Sequence, residues 1–394
     1  MPVIALIDGE HHPSAVRDVL AGLDLAGVVF CGGEEKLGPG SLEEHYGTPV
    51  ETEPEEALRR LAPRADAVVD LADEPVLPAS RKLRLAALAL SLGLAYEAPG
   101  GRFEPPRYEP VAFGGPKLAV IATGKRTGKT AVAGHWAALI REQGADPVIV
   151  CMGRGGPAEP RVVEAAPSLD ELLAIAENGS HAASDYLEDA VIAGVRTVGC
   201  RRVGGGFAGA PFESNVAEGA AVAASLDPGA IVFEGSGACI PPVEADRTVC
   251  ILGAGRPEPF AEYRLARADV VLAAEGTSDP PPGALPFALR PEPLEEIPTD
   301  ARVAVFTTGA TEVDGVPDPV LVSTNLARRA ALADELERAV TQRCDVYLTE
   351  LKAAAIDTVA VRARKEGARV VFIRNRPVGI DDALVKLYRD AGKK

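Results

Sequence analysis

The sequence lacks the features of a membrane-embedded or disulfide-stabilised protein. Its longest apolar run covers only residues 85–96, whereas a membrane-spanning helix needs about 20 residues. The first residues turn from apolar to acidic without a basic segment, which argues against a signal peptide. None of the six cysteines forms a CxxC pair, so neither a zinc knuckle nor a disulfide framework is expected. We therefore expect a cytoplasmic protein with buried free thiols and no membrane partner.

Runs of basic residues and histidines are also scarce. The formal net charge is −16, and no stretch contains five or more consecutive Lys or Arg residues. A chain with this charge repels nucleic acid unless a basic patch is segregated, so we expect no nucleic-acid partner. There are five histidines, and the isolated pair His11 and His12 does not predict a metal site. The basic residues that stand out lie beside glycines, which suits small anions better than a polymer.

The 394 residues are enough for two or three domains. Short apolar runs that alternate with helical segments predict an α/β fold. We expect a small N-terminal α/β domain at residues 1–96, in which Ser80 caps a helix, and then a linker at 97–116 that is rich in proline and glycine. A second α/β region should occupy 117–394, and its last part, 321–394, is a candidate for a distinct α/β subdomain.

The stretch IATGKRTGKTA, at residues 121–131, follows a predicted strand and opens a predicted helix. A P-loop has Gly, four residues and then Gly-Lys-Ser/Thr; here Gly128, Lys129 and Thr130 match its end, but Thr123 occupies the first glycine position. Backbone N–H groups in such a turn wrap a phosphate, and the lysine reaches the β- and γ-phosphates. We therefore predict a P-loop NTPase-type, mostly parallel sheet with flanking helices, beside the smaller N-terminal domain. The residues expected to bind the nucleotide are Gly124, Lys125, Arg126, Thr127, Gly128, Lys129, Thr130 and Ala131.

An acid at the end of a later strand should complete a magnesium site. The stretch AIVFEGSGA places Glu234 after four apolar residues and before glycines that let a ligand approach closely. Thr130 and Glu234 are therefore the predicted metal ligands, and ATP and Mg²⁺ are the expected substrate and ion. The stretch resembles the Glu-Gly-small-Gly segment of dethiobiotin synthetase and the cobyrinate amide synthases. A surface carboxylate at a strand end is the alternative interpretation of Glu234.

Charged residues beside glycines predict a small polyanionic substrate. Arg154 follows the strand that comes after the P-loop helix, and Arg201 and Arg202 precede three glycines. Guanidinium groups beside exposed backbone suit phosphates and carboxylates, although surface loops would also explain each cluster. The candidate substrate-binding residues are Asp8, Glu10, His11, His12, Arg154, Arg201, Arg202 and Lys352.

One acidic stretch admits two interpretations. HAASDYLED, at 181–189, places Ser184, Asp185, Glu188 and Asp189 around one helical turn. An N-cap followed by an acidic first turn is the more common use of such a pattern. The other interpretation is that these side chains face a ligand.

These pieces, in this order, resemble the cyclic 2,3-diphosphoglycerate synthetase family. The stretches that carry the resemblance are LIDGEHHP, DLADEPVL, ATGKRTGKTAVAGH, VIVCMGRGGP, HAASDYLEDA, VGCRRVGGGFAG, FEGSGA and YLTELKAAAID. The resemblance implies an ATP-dependent ligase that closes 2,3-bisphosphoglycerate into a cyclic phosphoanhydride and releases ADP and phosphate. It also implies an association with the formation of 2,3-bisphosphoglycerate from 2-phosphoglycerate. On this interpretation the catalytic residues are Lys129, Arg154 and Glu234, and the arginines neutralise the substrate phosphates.

Two other functions remain open at this point. An amide-forming ligase of the dethiobiotin or cobyrinate type would share Glu234 and its glycines, but no glutamine-hydrolysing Cys-His pair is evident. A nucleotide switch or metal-delivery GTPase would need a base-reading Asx-Lys-x-Asp motif, and no convincing one is found. A homodimer is compatible with two domains, but no segment specifies its interface.

Overall fold

The structure, a computed structural model, describes residues 1–179, 181–255 and 257–393. The chain folds into two compact units. The first contains Met1–Arg107 and Gly206–Ala210, with a third segment that ends at Ala268. The second contains Tyr108–Gly205 and Pro211–Gly255, with a third segment that begins at Asp269. Each unit is therefore built from three separate segments of the chain.

The first unit is built on a six-stranded sheet. Its strands are β1 (Val3–Ile7), β2 (Leu25–Phe30), β3 (Val50–Glu51), β4 (Ala67–Asp70), β5 (Ala95–Ala98) and β6 (Gly101–Phe103). The strand order is β3-β2-β1-β4-β5-β6, and only the edge pair of β5 and β6 is antiparallel. The carboxyl ends of β1 and β4 therefore lie side by side, which is where ligands bind in open parallel sheets.

The second unit is built on a thirteen-stranded sheet. Its strands are β7 (Lys117–Ala122), β8 (Pro147–Gly153), β9 (Arg161–Val163), β10 (Arg196–Val203), β11 (Glu213–Ser214), β12 (Ala230–Glu234), β13 (Arg247–Leu252), β14 (Val270–Ala274), β15 (Leu285–Pro293), β16 (Val303–Phe306), β17 (Leu321–Ser323), β18 (Val346–Glu350) and β19 (Arg369–Val378). Their order is β11-β10-β8-β12-β7-β13-β14-β15-β19-β18-β16-β17, with β9 paired to β10. Most neighbours are parallel, and the antiparallel pairs are β9 with β10, β10 with β11, and β15 with β19. The last strands of the chain thus continue the sheet that holds the P-loop strand.

The helices flank these two sheets. They are α1 (Pro13–Leu20), α2 (Leu42–Tyr46), α3 (Pro54–Leu61), α4 (Ala79–Ser91), α5 (Lys129–Glu142), α6 (Leu169–Glu177), α7 (Asp185–Ala193), α8 (Val216–Ser225), α9 (Ala261–Ala266), α10 (Arg329–Thr341), α11 (Val361–Glu366) and α12 (Asp381–Ala391). A π-helical turn at Ala355–Ala360 precedes α11. Within the described residues, no helix combines the length and the apolar character needed to cross a membrane. The predicted fold class, a mostly parallel α/β sheet with flanking helices and a smaller N-terminal α/β unit, is confirmed.

The helix that follows the P-loop is held firmly against the large sheet. Val132 and Trp136 of α5 are fully buried in the same apolar cluster as Val120 of β7 and Val232 of β12. The Trp136 indole also donates a hydrogen bond to the Leu384 carbonyl at 2.9 Å, which ties α12 to α5. Since β7 lies between β12 and β13, the loops at the carboxyl ends of these strands meet at the start of α5.

Two details of the first unit differ from the sequence prediction. Ser80 lies inside α4 and does not cap it; the N-cap position belongs to Pro78, whose extended conformation starts the helix. Residues 97–103, expected in a linker, contribute to the antiparallel pair of β5 and β6. The first segment of this unit therefore ends at Arg107 and not at residue 96.

Candidate functional site

The phosphate loop departs from the usual glycine pattern but keeps the geometry of an anion site. Gly128 stands at the N-cap of α5 with φ of 94°, a conformation that side-chain-bearing residues rarely adopt. A Cβ at this position would also lie 2.8 Å from Cδ1 of Leu289 in β15. Glycine is therefore required here, and the N–H groups of the first turn of α5 are available to an anion. Arg126, with φ of 56°, takes the other left-handed position in the loop.

Lys129 is poised for a phosphate that would replace its present partner. Its side chain is buried, and Nζ donates a hydrogen bond to the Gly124 carbonyl at 3.0 Å. Burial lowers the pKa of Lys129, while nearby Glu234 and Asp185 act in the opposite direction. A buried ammonium gains much from an anionic partner, so bound phosphate would stabilise the charged lysine.

Thr130 and Glu234 are brought together as the sequence predicted. The hydroxyl of Thr130 donates to Glu234 Oε1 at 2.7 Å, because β12 runs parallel to β7 and ends beside the P-loop. Burial, followed by the charge of Asp185, raises the pKa of Glu234 to about 7. Its second oxygen, Oε2, is buried and has no hydrogen-bond partner among the described residues. A hydroxyl and a carboxylate with an unused oxygen suit Mg²⁺, which prefers oxygen ligands.

The acidic stretch at the start of α7 turns inward instead of serving as a solvated first turn. Ser184 occupies the N-cap position but forms no side-chain capping bond within the described structure. Asp185, Glu188 and Asp189 project into the interior beside Glu234. Ser184 at the N-cap position, with Asp185 and Glu188 in the first turn, agrees with the more common interpretation of this stretch. Asp185 and Glu188 also line a cavity, as the other interpretation, a ligand-facing stretch, expects. Sequence spacing alone could not show that α7 packs against α5, β8 and β10.

Glu188 has a cationic partner from the far end of the chain. Lys352 Nζ lies 3.2 Å from Glu188 Oε1, and the charge of Glu188 raises the pKa of Lys352. Burial nevertheless raises the pKa of Glu188 to about 7, against the effect of Lys352. The pair therefore carries a proton that is released near neutral pH, next to the phosphate loop.

We expect this raised pKa to appear in the stability of the nucleotide-free protein. The folded pKa of about 7 lies above the ordinary value of 4.5, so the contribution of neutral Glu188 is present at low pH and is lost as the pH rises through 7. Glu188→Gln should raise the unfolding temperature relative to wild type at about pH 8 and change it little at about pH 5. Thermal melts at both values test this. The same difference at both pH values would contradict the raised pKa, and Glu177→Gln, at an exposed position in α6, is the control.

One cavity of about 910 Å³ collects most of the predicted ligands of the second unit. Arg154 lies just after the end of β8. Its guanidinium packs against Gly237, as does that of Arg202, and a Cβ added to Gly237 would clash with Arg154 Nη2. Lys352 enters the cavity from the end of β18. The predicted site residues on its wall are Lys125, Arg126, Thr127, Gly128, Lys129, Thr130, Ala131, Arg154, Glu234 and Lys352.

Arg201 and Arg202 alternate in direction along β10. Arg202 is buried and donates to the carbonyl of Gly204 at 2.6 Å and to that of Ser236 at 3.0 Å. It therefore braces the loop after Glu234. Arg201 instead faces Glu213 at 3.6 Å, on the side of the β11 edge. Neither side chain belongs to the cavity wall.

The remaining predicted substrate residues lie in the first unit. Asp8, at the tip of β1, is buried and accepts hydrogen bonds from the backbone N–H groups of Glu10 and His11 and from Asp73 N, while His11 Nδ1 lies 2.8 Å from its Oδ1. Burial would raise the pKa of Asp8, but these hydrogen bonds outweigh it and lower that pKa. Glu10, His11 and His12 line a separate cavity of about 480 Å³ in this unit. His12 also caps α1 by accepting from Ser14 N.

The cavity of the second unit includes polar residues that the sequence did not single out. Thr308, in the loop after β16, donates from its N–H and its hydroxyl to Glu350 Oε2, each at 2.7 Å. Asn375 of β19 donates to Glu350 Oε1 at 3.3 Å. These residues join the site because β16, β18 and β19 are adjacent in the sheet. Their position at or near the ends of predicted strands could have indicated a site, but without the strand order the sequence does not show which strand ends lie together.

The chain matches family models along most of its length. Residues 2–104 match "Cyclic 2,3-diphosphoglycerate synthetase, N-terminal domain", residues 117–279 match the P-loop domain of the same family, and residues 293–376 match its C-terminal domain. All the cavity residues named from the phosphate loop to Glu234 thus fall inside the P-loop domain match.

Several curated proteins named cyclic 2,3-diphosphoglycerate synthetase are similar over nearly their full length. The protein from Rubrobacter xylanophilus is 43% identical over an alignment of 441 positions, which covers 100% of this chain and 98% of that protein. The protein from Thermococcus onnurineus is 38% identical, and the alignment covers 96% of this chain and 95% of that protein. The protein from Methanothermus fervidus is 35% identical, and the alignment covers 97% of this chain and 94% of that protein.

Proposed function

The chain belongs to the cyclic 2,3-diphosphoglycerate synthetase family, and from this we propose that it is an ATP-dependent ligase. It closes 2,3-bisphosphoglycerate into a cyclic phosphoanhydride and releases ADP and phosphate. The proposal rests on one cavity, which is lined by the P-loop, by the hydrogen-bonded pair of Thr130 and Glu234, and by the cations Arg154 and Lys352. An amide ligase would share the P-loop, but the named relatives do not favour it.

The electrostatics of the cavity suit the substrate. Two phosphates and a carboxylate carry a charge of about −4 to −5 near neutral pH, and bringing the two phosphates together costs Coulomb repulsion. Arg154 and Lys352 line the same cavity as the loop cations Lys125 and Arg126. We infer that Arg154 and Lys352 hold the acceptor phosphates, since both cations lie outside the P-loop itself.

The nucleotide occupies the P-loop. The N–H groups from Gly128 to Ala131 hold the β-phosphate, and Lys129 moves from the Gly124 carbonyl to the β- and γ-oxygens. Thr130 and Glu234 would hold Mg²⁺, which supplies charge neutralisation when bound. The free Oε2 of Glu234 supports this assignment.

The reaction then needs two transfers. First, an oxygen of one substrate phosphate attacks the γ-phosphorus, the bond to ADP breaks, and a diphosphate forms on the substrate. Second, an oxygen of the other substrate phosphate attacks the inner phosphorus of that diphosphate and expels inorganic phosphate, which closes the ring. Lys129 and Arg154 stabilise the charge that develops in both steps. Positioning contributes most of the catalysis, because no covalent intermediate with the protein is required. The same first transfer, onto a hydroxyl, would give 2-phosphoglycerate kinase activity.

The dependence of ATP consumption on the substrate 2,3-bisphosphoglycerate tests this function. ADP formation should need 2,3-bisphosphoglycerate and should yield phosphate in equal amount. An amide-forming ligase would instead consume ATP only with a carboxylate and an amine donor. A nucleotide switch would hydrolyse ATP slowly whether or not the acid is present.

Arg154→Ala should separate acceptor binding from nucleotide binding. We expect kcat/KM for 2,3-bisphosphoglycerate to fall about 100-fold, because a desolvated charge-assisted contact to phosphate is lost, while ATP affinity stays within about twofold of wild type. Steady-state kinetics and binding of a fluorescent ATP analogue measure the two effects. Arg161→Ala, at an exposed position in β9, is the matched control. Loss of ATP binding in Arg154→Ala would reassign this arginine to the nucleotide.

Three further properties belong to the proposal. Asp8, Glu10, His11 and His12, which belong to the first unit, are proposed as substrate-binding residues. The described cysteines are all buried and free, which suits the reducing cytoplasm. A homodimer is proposed as the assembly, and light scattering after gel filtration would test it.

A further inference from the structure

Three buried donor groups from three different elements converge beside the P-loop. Cys151 lies in β8, Asp189 in α7 and Glu234 at the end of β12. One ligand atom of each lies within 4.8 Å of those of the other two. All three side chains are almost completely shielded from solvent. The cluster arises because β8 and β12 are adjacent parallel strands and α7 packs against β8.

The two carboxylates of this cluster interact with each other, and each has one buried oxygen that receives no donor from the other described residues. Asp189 Oδ1 and Glu234 Oε2 are both buried and have no hydrogen-bond partner within residues 1–179, 181–255 and 257–393. The Cys151 thiol donates to the other oxygen of Asp189 at 2.9 Å. Two facing carboxylates in a dry site require a shared proton or a cation between them. The adjacent sulfur adds a third donor that favours the cation, because a thiolate can bind a metal ion.

We propose that Cys151, Asp189 and Glu234 form a second divalent-metal site, selective for a borderline ion such as Zn²⁺ or Co²⁺. A tetrahedral ion of this kind needs donors ~3.5 Å apart, so these atoms, which lie within 4.8 Å of one another, would draw closer together on binding. On binding, the thiol proton and the proton shared by the two carboxylates leave to solvent and a metal–sulfur bond forms, with no change of oxidation state. Mg²⁺ is a poor occupant because it avoids sulfur. Cys151 and Glu234 both reach the wall of the large cavity, which provides a path of entry.

The consequence for catalysis rests on the proposed function. Glu234 is also the carboxylate paired with Thr130, so an ion held by Cys151 and Asp189 would engage the acid needed by the nucleotide-bound Mg²⁺. Occupancy of the second site should therefore inhibit the synthetase and should be relieved by chelation. A borderline ion would thus act as an inhibitor through Cys151 and Asp189, which the proposed Mg²⁺-dependent turnover does not use.

Cobalt absorption of the nucleotide-free protein tests the site directly. Titration with Co²⁺ should give one equivalent of binding and a near-ultraviolet band from thiolate-to-cobalt charge transfer. Cys151→Ala should lose this band, whereas Cys200→Ala, which removes another buried thiol from the neighbouring strand β10, should keep it. Absence of the band in wild type, or its persistence in Cys151→Ala, would overturn the proposal and leave a shared proton between the carboxylates.

A second variant guards against misfolding of Cys151→Ala. Asp189→Asn keeps the size of the side chain, and it should weaken Co²⁺ binding by at least about tenfold while the charge-transfer band persists at saturation. Unchanged affinity in that variant would remove Asp189 from the site. Cyclisation assays in excess Mg²⁺ then test the consequence: Zn²⁺ should inhibit wild type and Cys200→Ala but not Cys151→Ala. Inhibition of all three would refute the competition, and absence of cyclisation in every protein would count against the proposed function instead of the metal site.

Discussion

Lys129→Ala should abolish nearly all ring closure. We expect kcat/KM to fall by about 10³-fold or more, because the P-loop lysine is the cation placed to neutralise charge on the transferred phosphoryl group. The side chain is buried at the N-terminus of α5 and already donates to the Gly124 carbonyl, so alanine leaves that position without a cation. Phosphate release in the presence of 2,3-bisphosphoglycerate measures the effect.

The control for this variant is Lys386→Ala, which removes an exposed lysine of α12 that pairs with Asp390. It should leave the rate unchanged. Thermal melts should show that Lys129→Ala remains folded, since loss of a buried ammonium removes a desolvation cost. Near-wild-type ring closure by Lys129→Ala would show that the phosphate loop does not serve this reaction.

Glu234→Gln should separate activity from stability. We expect kcat to fall by about 10²–10³-fold, because an amide cannot supply the negative charge that holds Mg²⁺. The same change should leave the unfolding temperature equal or higher near pH 8. The pKa of Glu234 is raised to about 7 by burial and by Asp185, so ionisation of this carboxylate destabilises the folded state as the pH rises through 7. Glutamine avoids that cost and can still accept from Thr130.

Activity at several Mg²⁺ concentrations and melts at two pH values measure these effects. Glu218→Gln, at an exposed position in α8, should change neither. If Glu234→Gln lost stability and kept activity, Glu234 would be a structural residue, and the metal would have to be held by other groups.

The core of the site could be predicted from local sequence. The phosphate loop follows from a buried strand, a turn with Gly128 and a helix, and this order requires no knowledge of distant residues. Glu234 could be found for a similar reason, because an acid after four apolar residues and before glycines marks the end of a buried strand. The structure brings Glu234 to Thr130 at 2.7 Å, as that reasoning expected.

The surroundings of the site depended on topology. Asp185 and Glu188 have the spacing of an ordinary acidic first turn, and it is the packing of α7 against β8 and β10 that buries Glu188 and Asp189. Thr308 and Asn375 reach the cavity because β16, β18 and β19 are neighbours in the sheet. A single sequence contains no signal for such pairing, since strand order is set by long-range contacts.

The arginine clusters show the limit of composition as a guide. Arg201 and Arg202 are adjacent in sequence, and the sequence predicts the same substrate-binding role for both. Their side chains nevertheless point to opposite faces of the sheet, because successive side chains of β10 alternate. One braces a loop through two carbonyls and the other faces Glu213. Arg154 alone among the three lines the cavity, because it follows a strand end instead of lying within a strand.

Phosphorus NMR of the purified protein with Mg²⁺, ATP and 2,3-bisphosphoglycerate tests directly whether the protein closes the phosphoanhydride ring. We expect a new upfield phosphoanhydride resonance that grows together with ADP and inorganic phosphate, in equal amounts. Intact ATP with unchanged 2,3-bisphosphoglycerate would contradict it, as would phosphate release without any new anhydride resonance.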